Sequence, residues 1–414
     1  MKICKLRIVN YIRYIIYSLS DKILLNMISL PKIKVPKKEE PINQNFSNDV
    51  FVVEVDKDEI KFALYAEKDD TKIQNVYNSS IKNKGYNFEL ALTSDEVVDQ
   101  VKDEIIKAKQ LYPTKSKHLV IGISQRNVIS FTTTVRIKRI NSESKITQKE
   151  IEEFVSKIVN NSKAEILNEV NTNLELLNSD IIFTKVDGYI TKQPEGMKGT
   201  TLEISIFVNF VNAECLEDLI SFGSKVGLDL VTIATGLYAF NKTLETNMDS
   251  NYLLIDIDSA TTNLGVIFAG ELFYATYVSF GYSDLVEFFK GRFGQTENEA
   301  EEAINGKVLD ANSMASRTQI LDYFYELISI KLQNAKKVKV LPENIRIIGK
   351  ESGSVEKEML LKNLSSLNFK DEPVATNIDI SAFSFYDDTV QELPNHFVKN
   401  LALAKFCLKI LGNN

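Results

Sequence analysis

Two stretches of this chain carry one pattern: an apolar run that ends in a carboxylate, a short polar turn, and a second apolar run. Tyr252-Leu253-Leu254-Ile255 leads into Asp256, residues 259–262 turn the chain, and a second apolar run follows from Leu264 to Phe268, with Gly281 closing the stretch. Val50-Phe51-Val52-Val53 leads into Glu54, and residues 60–65 resume after a four-residue turn. An uninterrupted apolar run is the signature of a strand buried on both faces, so each acid stands near the C-terminal end of a core strand. Repetition of strand, acidic turn, strand marks an internal duplication, as expected of a fold with two similar halves. A tight turn of small and hydroxyl residues beside an acid offers N–H groups and hydroxyls to phosphate, while the carboxylate holds a hydrated metal ion. The same pattern also fits a plain sheet hairpin with a solvated turn.

At 414 residues the chain exceeds one ordinary core, so two or more domains are expected. Its 44% hydrophobic and 25% charged residues are those of a soluble globular protein, and a net charge of −7 argues against a general nucleic-acid binder. Cys4, Cys215 and Cys407 are too far apart for a disulfide framework, which fits a reducing cytoplasm. His118 and His396 have no ligand spacing around them, against a zinc site or a histidine relay.

Residues 1–45 differ from the rest. Up to Lys38 they hold nine basic residues and one acidic, Asp21. Ile8, Val9, Ile12, Ile15, Ile16 and Leu19 share a helical face opposite Arg7, Asn10 and Arg13. Charge interrupts the run too often for a bilayer span, and it has no small-residue cleavage site. A basic amphipathic helix suits an anionic membrane surface; a helix docked on the protein's own body and a disordered leader are the alternatives. Residues 31–41 are a proline-punctuated linker.

Further along, Ser94 is placed to cap a helix with Val97, Val98, Val101, Ile105 and Ala108 on one face, and residues 118–123 read as a core strand. Thr147-Gln148-Lys149-Glu150 is a capping box. Asp187-Gly188 turns a hairpin, and residues 201–211 form a long strand, so this segment is a small α+β unit. Gly223 and Gly227 help to end a helix lined by Leu216, Leu219, Ile220 and Phe222. Ile320, Leu321, Phe324, Leu327 and Ile328 make a core helix.

The segment around Asp256, Thr261 and Thr262 resembles the second phosphate-binding hairpin of the actin-like ATPase superfamily, and the Glu54 turn resembles its first phosphate loop. Ile146-Thr147-Gln148-Lys149-Glu150-Ile151, Asp187-Gly188 and Pro194-Glu195-Gly196-Met197-Lys198-Gly199-Thr200-Thr201-Leu202-Glu203 look like the inserted SHS2 subdomain of the bacterial cell-division protein FtsA. The resemblance covers about residues 50–411. It implies an α/β, actin-like (ribonuclease H-like) two-domain fold with an inserted α+β SHS2 subdomain. The expected parts are the extension and linker over 1–45, domain 1 over 50–126 and 213–250, the insert over 127–212, and domain 2 over 251–414.

That resemblance implies ATP and Mg, with Glu54, Lys57, Asp256, Thr261, Thr262, Gly281, Glu301 and Gly349 toward the nucleotide and Glu54 and Asp256 toward the metal. The chain departs from the pattern. Asp56, Asp258, Ser259 and Ala260 stand at glycine positions, Asn263 at an acidic one, Ile304 at a lysine and Lys350 at a glycine. Side chains there obstruct the close approach of backbone to phosphate, and acids repel it, so hydrolysis is expected to be weak or absent. The implied role is a cytoplasmic scaffold on the inner face of the cell membrane that self-associates head to tail and links FtsZ filaments. The C-terminal membrane helix usual in FtsA has no counterpart, so the extension is expected to be the anchor. Two alternatives stand beside it: a component of type IV pilus assembly like PilM, whose hairpin is closer to Asp-x-Asp-Ser-Ala-Thr-Thr-Asn, and an active ATPase or small-molecule kinase.

Overall fold

The computed structural model describes residues 48–56, 59–68, 72–82, 94–169, 172–244, 250–307, 310–335, 338–349, 355–387 and 393–412. The extension over 1–45, Lys57 and Lys350 lie outside the described residues. The first half begins with β1 (Val50–Val55), β2 (Glu59–Glu67), β3 (Ile73–Lys82), α1 (Asp95–Leu111) and β4 (His118–Ile123). An intervening unit follows: β5 (Val128–Lys138), α2 (Gln148–Glu169), β6 (Leu174–Val186), β7 (Tyr189–Thr191) and β8 (Thr201–Asn212). The chain then returns through α3 (Ala213–Lys225), β9 (Asp229–Thr235) and α4 (Gly236–Thr243). The second half comprises β10 (Tyr252–Ile257), β11 (Thr262–Phe268), β12 (Glu271–Val278), α5 (Tyr282–Phe293), α6 (Glu297–Ile304), α7 (Ala311–Gln333), β13 (Asn344–Gly349), α8 (Lys357–Leu364), β14 (Val374–Asn377) and α9 (Val398–Gly412).

Two five-stranded sheets have matching orders, β3-β2-β1-β4-β9 and β12-β11-β10-β13-β14. In each, an antiparallel hairpin supplies the central strand, and a parallel strand lies on its other side. The apolar runs follow from this layering. Along β1, Phe51 and Val53 face a core shared with α1 and α3, while Val50 and Val52 face a middle layer built by α4 and α9. Along β10, Tyr252 and Leu254 face that same middle layer, and Leu253, Ile255 and Ile257 face α5 and α7. Both central strands are therefore covered on both sides, which is why neither alternates in polarity. The helix pair α4 and α9 is the shared wall between the two sheets.

The unit between β4 and α3 has its own four-stranded sheet, β5-β8-β6-β7. Leu202, Ile204, Ile206, Val208 and Phe210 of β8 meet Ile151, Val155 and Ile158 of α2. Asp187 (φ 50°) and Gly188 (φ 91°) make the two-residue turn expected there. The Asp187 carboxylate also accepts the backbone N–H groups of Thr200 (2.9 Å) and Thr201 (2.7 Å), fastening the hairpin to the segment after Gly196-Met197.

Three local expectations change. Ser94 sits at the N-cap of α1, yet its side chain makes no cap bond. The capping box at α2 shares its acid: Thr147 Oγ1 accepts the Glu150 N–H at 3.2 Å, and the Glu150 carboxylate, held near the Thr147 backbone N–H, is also taken by buried Arg139 at 2.7 and 2.9 Å. Gly227, in the left-handed region at φ 76°, ends α3; Gly223 lies inside the helix, where a Cβ would stand 3.3 Å from Leu230.

Candidate functional site: the cleft between the two halves

Position for position, the two strand–turn–strand units match. Glu54 pairs across the hairpin with Lys61 and on its other side with Gly122; Asp256 pairs with Asn263 and with Ile348. Asp56 and Asp258 follow two residues after the acids. The loops thus deliver four carboxylates toward one cleft, lined by Glu54, Val55, Asp56, Gly122, Ile123, Ser124, Gly236, Asp256, Asp258, Asn263, Lys399 and Leu403.

Lys399, in the first turn of α9, enters this cleft. Its ammonium lies 2.9 Å from Glu54 Oε1 and 3.5 Å from Asp256 Oδ2, and it is bonded to Asp258 Oδ1. Lys61 adds a second ammonium 3.7 Å from Glu54 Oε1. The Asn263 side-chain amide donates to Asp256 (2.8 Å) and to Asp258 (3.0 Å). Backbone atoms are engaged too: the Ser259 N–H donates to Asp56 Oδ2 at 3.4 Å. Two glycines make room for α9. A Cβ on Gly236 would meet Lys399 Cδ at 2.7 Å, and one on Gly122 would meet Leu403 Cδ1 at 2.5 Å.

Charge in a dry cleft must be balanced. Burial opposes ionisation of Lys399, but Asp256, Asp258 and Glu54 outweigh it and hold the ammonium well above its ordinary range. Burial likewise penalises the Glu54 carboxylate, yet Lys399 and Lys61 pull it below its usual value. Asp256 goes the other way. Burial, reinforced by Asp258 and only partly countered by Lys399 and Asn263, pushes it up to about 7. One half of the site thus keeps its acid charged, and the other tends to keep its acid protonated.

The remaining expected residues have structural partners. Thr262 Oγ1 donates to the Phe280 carbonyl at 2.9 Å, and the Thr261 carbonyl accepts the Asp258 N–H at 2.9 Å. Gly281 caps α5, where a Cβ would be 2.4 Å from the Asp258 carbonyl oxygen; the next residues, Tyr282 and Ser283, donate their N–H groups to Asp258 and Ser259. Gly349 (φ 121°) leaves no room for a side chain, since a Cβ would stand 2.1 Å from the Ile257 carbonyl oxygen. Glu301, on α6, does not line the cleft, and Ile304 is buried in the core of the second half. Sequence reasoning brought Glu54 and Asp256 together but missed Lys399. Its signal was partial: Lys399 stands in the first turn of a helix whose residues Leu401 to Ala404 are apolar without a break, and such a stretch is buried.

A magnesium nucleotide, which a cleft of this kind suggests, does not fit these residues. Lys399 already supplies the cation between Glu54 and Asp256, Asp56 takes the Ser259 N–H, and the remaining space is on the order of one water molecule. Among the described residues, no three His, Cys, Asp or Glu side chains are arranged to hold a metal ion.

No protein-family model matches the chain, and no curated protein matches it significantly. Solved structures do. A PilM–PilN type IV pilus biogenesis complex is similar over 87% of this chain and 98% of that chain, at 18% identity and a TM-score of 0.55. The chain has an actin-like ATPase fold. The ethanolamine utilization protein EutJ from Carboxydothermus hydrogenoformans is similar over 86% of this chain and 89% of its own, at 12% identity and a TM-score of 0.47. Among the described residues of this actin-like chain, no helix is long and apolar enough to cross a membrane.

Proposed function

We propose that this chain is an actin-fold scaffold that works by holding partner proteins and does not turn over nucleotide. The observation that carries this reading is the cleft filled by Lys399 and Asp56, where an enzyme of this fold needs vacant space. Of the scaffold roles, a PilM-like one in pilus-type assembly at the cytoplasmic membrane face is put first. The similarity to a PilM–PilN complex spans nearly all of that chain, and the Asp256-to-Asn263 hairpin is closer to the variant the resemblance to PilM implies.

A second reading rests on its own observation. The Pro194-to-Glu203 run, pinned by Asp187, favours an FtsA-like division scaffold that self-associates head to tail and links FtsZ filaments to the inner face of the cell membrane. In both readings residues 1–45 attach the chain peripherally to anionic lipid.

The test mixes purified full-length protein with a PilN-type protein and, separately, with FtsZ filaments. Capture of the first and not the second supports the leading reading, and the reverse result supports the division reading. Steady MgATP hydrolysis with capture of neither overturns both. Cosedimentation with anionic vesicles that weakens with salt and is lost on removing residues 1–45 checks the anchor.

A further inference from the structure

Lys399 has a counterpart at the other end of the shared helix pair. α4 and α9 run side by side, with Gly236 against Lys399 at one end and the Lys409 ammonium 2.7 Å from the Lys242 carbonyl at the other. Between them Tyr238 and Phe406 pack edge to face at 5.5 Å. At that far end the Lys242 ammonium lies 2.9 Å from Asp180 on β6 and 2.8 Å from Glu271 on β12. Asp180 belongs to the intervening sheet and Glu271 to the second half, so Lys242 joins them from the first. Burial works against its charge, and Asp180 and Glu271 outweigh it.

A third tie runs along a sheet edge. After β14, the chain returns to the first half and lies against β3. The Ile73 N–H donates to the Phe385 carbonyl and the Asp387 N–H donates to the Ile73 carbonyl, both at 2.9 Å. Lys68 pairs with the Asp387 carboxylate, and Phe383 packs edge to face on Phe240 at 5.5 Å.

We propose that these ties replace a bound ligand. Lys399 serves as a built-in counter-ion between the central strands, Asp56 takes the loop N–H that a phosphate would take, and the two halves stay closed without nucleotide. Opening the cleft would part Lys399 from Glu54 or from Asp256 and Asp258, leaving buried charge uncompensated. Parting the far end would do the same to Lys242. A closure held at both ends of the helix pair has no low-energy open form to which a nucleotide could couple. Partners then meet one constant shape, which suits the scaffold reading on which this inference rests.

Two arms test it on the full chain. In the first, amide hydrogen exchange in β1, β10 and α9 is followed with and without MgATP. Change of less than about twofold is expected, and protection of tenfold or more in these elements overturns the proposal. This arm needs no variant. In the second, Lys399→Ala is compared with wild type, with ethylammonium as a probe for the missing ammonium. Faster exchange in both β1 and β10, partly reversed by the amine, is expected. Exchange equal to wild type overturns the proposal. Should Lys399→Ala not fold, the paired variant Lys399→Met with Asp258→Asn removes one charge of each sign. It is expected to fold, and its failure to do so would place the role of Lys399 in packing, against the proposal. Failure to capture a partner would sink the scaffold reading and leave both exchange results standing.

Discussion

The two strand–turn–strand units are alike in backbone and unlike in charge. Glu54 faces Lys61 across its hairpin; Asp256 faces Asn263. Lys399 lies closer to Glu54 (2.9 Å) than to Asp256 (3.5 Å), and the cross-strand neighbour adds to that difference. Burial penalises both acids; Lys399 and then Lys61 still keep Glu54 ionised, whereas Asp256, beside Asp258 and with only an amide across the hairpin, has too little positive charge and its pKa climbs. One duplicated frame can thus hold a carboxylate in either protonation state, according to how many ammonium groups and how many further acids stand beside it.

The largest expected effect comes from making the first unit resemble the second. Lys61→Asn removes one buried ammonium from Glu54 and should cost about 3 kcal/mol or more in urea unfolding. A loss under about 0.5 kcal/mol would show that Lys399 alone balances Glu54.

Next comes pH. The folded protein holds a proton on Asp256 up to about pH 7, whereas an unfolded aspartate releases it near 3.8. This contribution to stability is therefore full below about 3.8 and is lost as pH rises to about 7. Glu54 has the opposite sign, with its contribution present above 4.5 and lost as pH falls below it. Asp180, raised to about 6 by burial despite Lys242, behaves like Asp256 over a lower range. Between about pH 6 and 7 Asp256 makes stability fall by roughly 0.7–1.2 kcal/mol per pH unit, together with the tail of Asp180 and against the opposite contribution of His118, whose pKa burial lowers. Asp256→Asn should flatten unfolding free energy across that interval, and an unchanged slope would refute the assignment.

The smallest effects probe the position beside each acid on the parallel strand. Gly122→Ala drives a methyl group into Leu403 and should cost about 1–3 kcal/mol, whereas Ile348→Val in the other half should cost about 0.5–1.5 kcal/mol. Equal melting temperatures for the two variants would mean that α9 yields at Leu403.

Much of this was legible in the chain itself. The apolar runs announced buried central strands because both faces of each are covered, and the acid at the same place in each run showed that the halves match. Asp187-Gly188 announced its turn because both residues adopt positive φ. The contents of the cleft were harder to read. Lys399 approaches Glu54 and Asp258 from an element far away in sequence, and no local pattern connects them. Lys242, Asp180 and Glu271 are likewise separated, and each alone looks like a surface charge. Residues that meet only through tertiary packing leave no periodic trace. The glycines at 122 and 236 were a trace of another kind, since their lack of a side chain is explained only by a helix that arrives last.

That late arrival matters at the ribosome. The inner face of the first sheet, including Val50, Val52 and Val120, is covered by Leu401, Leu403 and Ala404 of α9. About 350 residues separate Val52 from Leu403, and at translation rates of about 5–20 residues per second the nascent sheet waits roughly twenty to seventy seconds for its cover. During that interval α4 is the part of the cover that exists, and Glu54 has no Lys399 beside it. The final packing of the first half therefore waits on α9, and chaperones are natural partners of that half until α9 has been made.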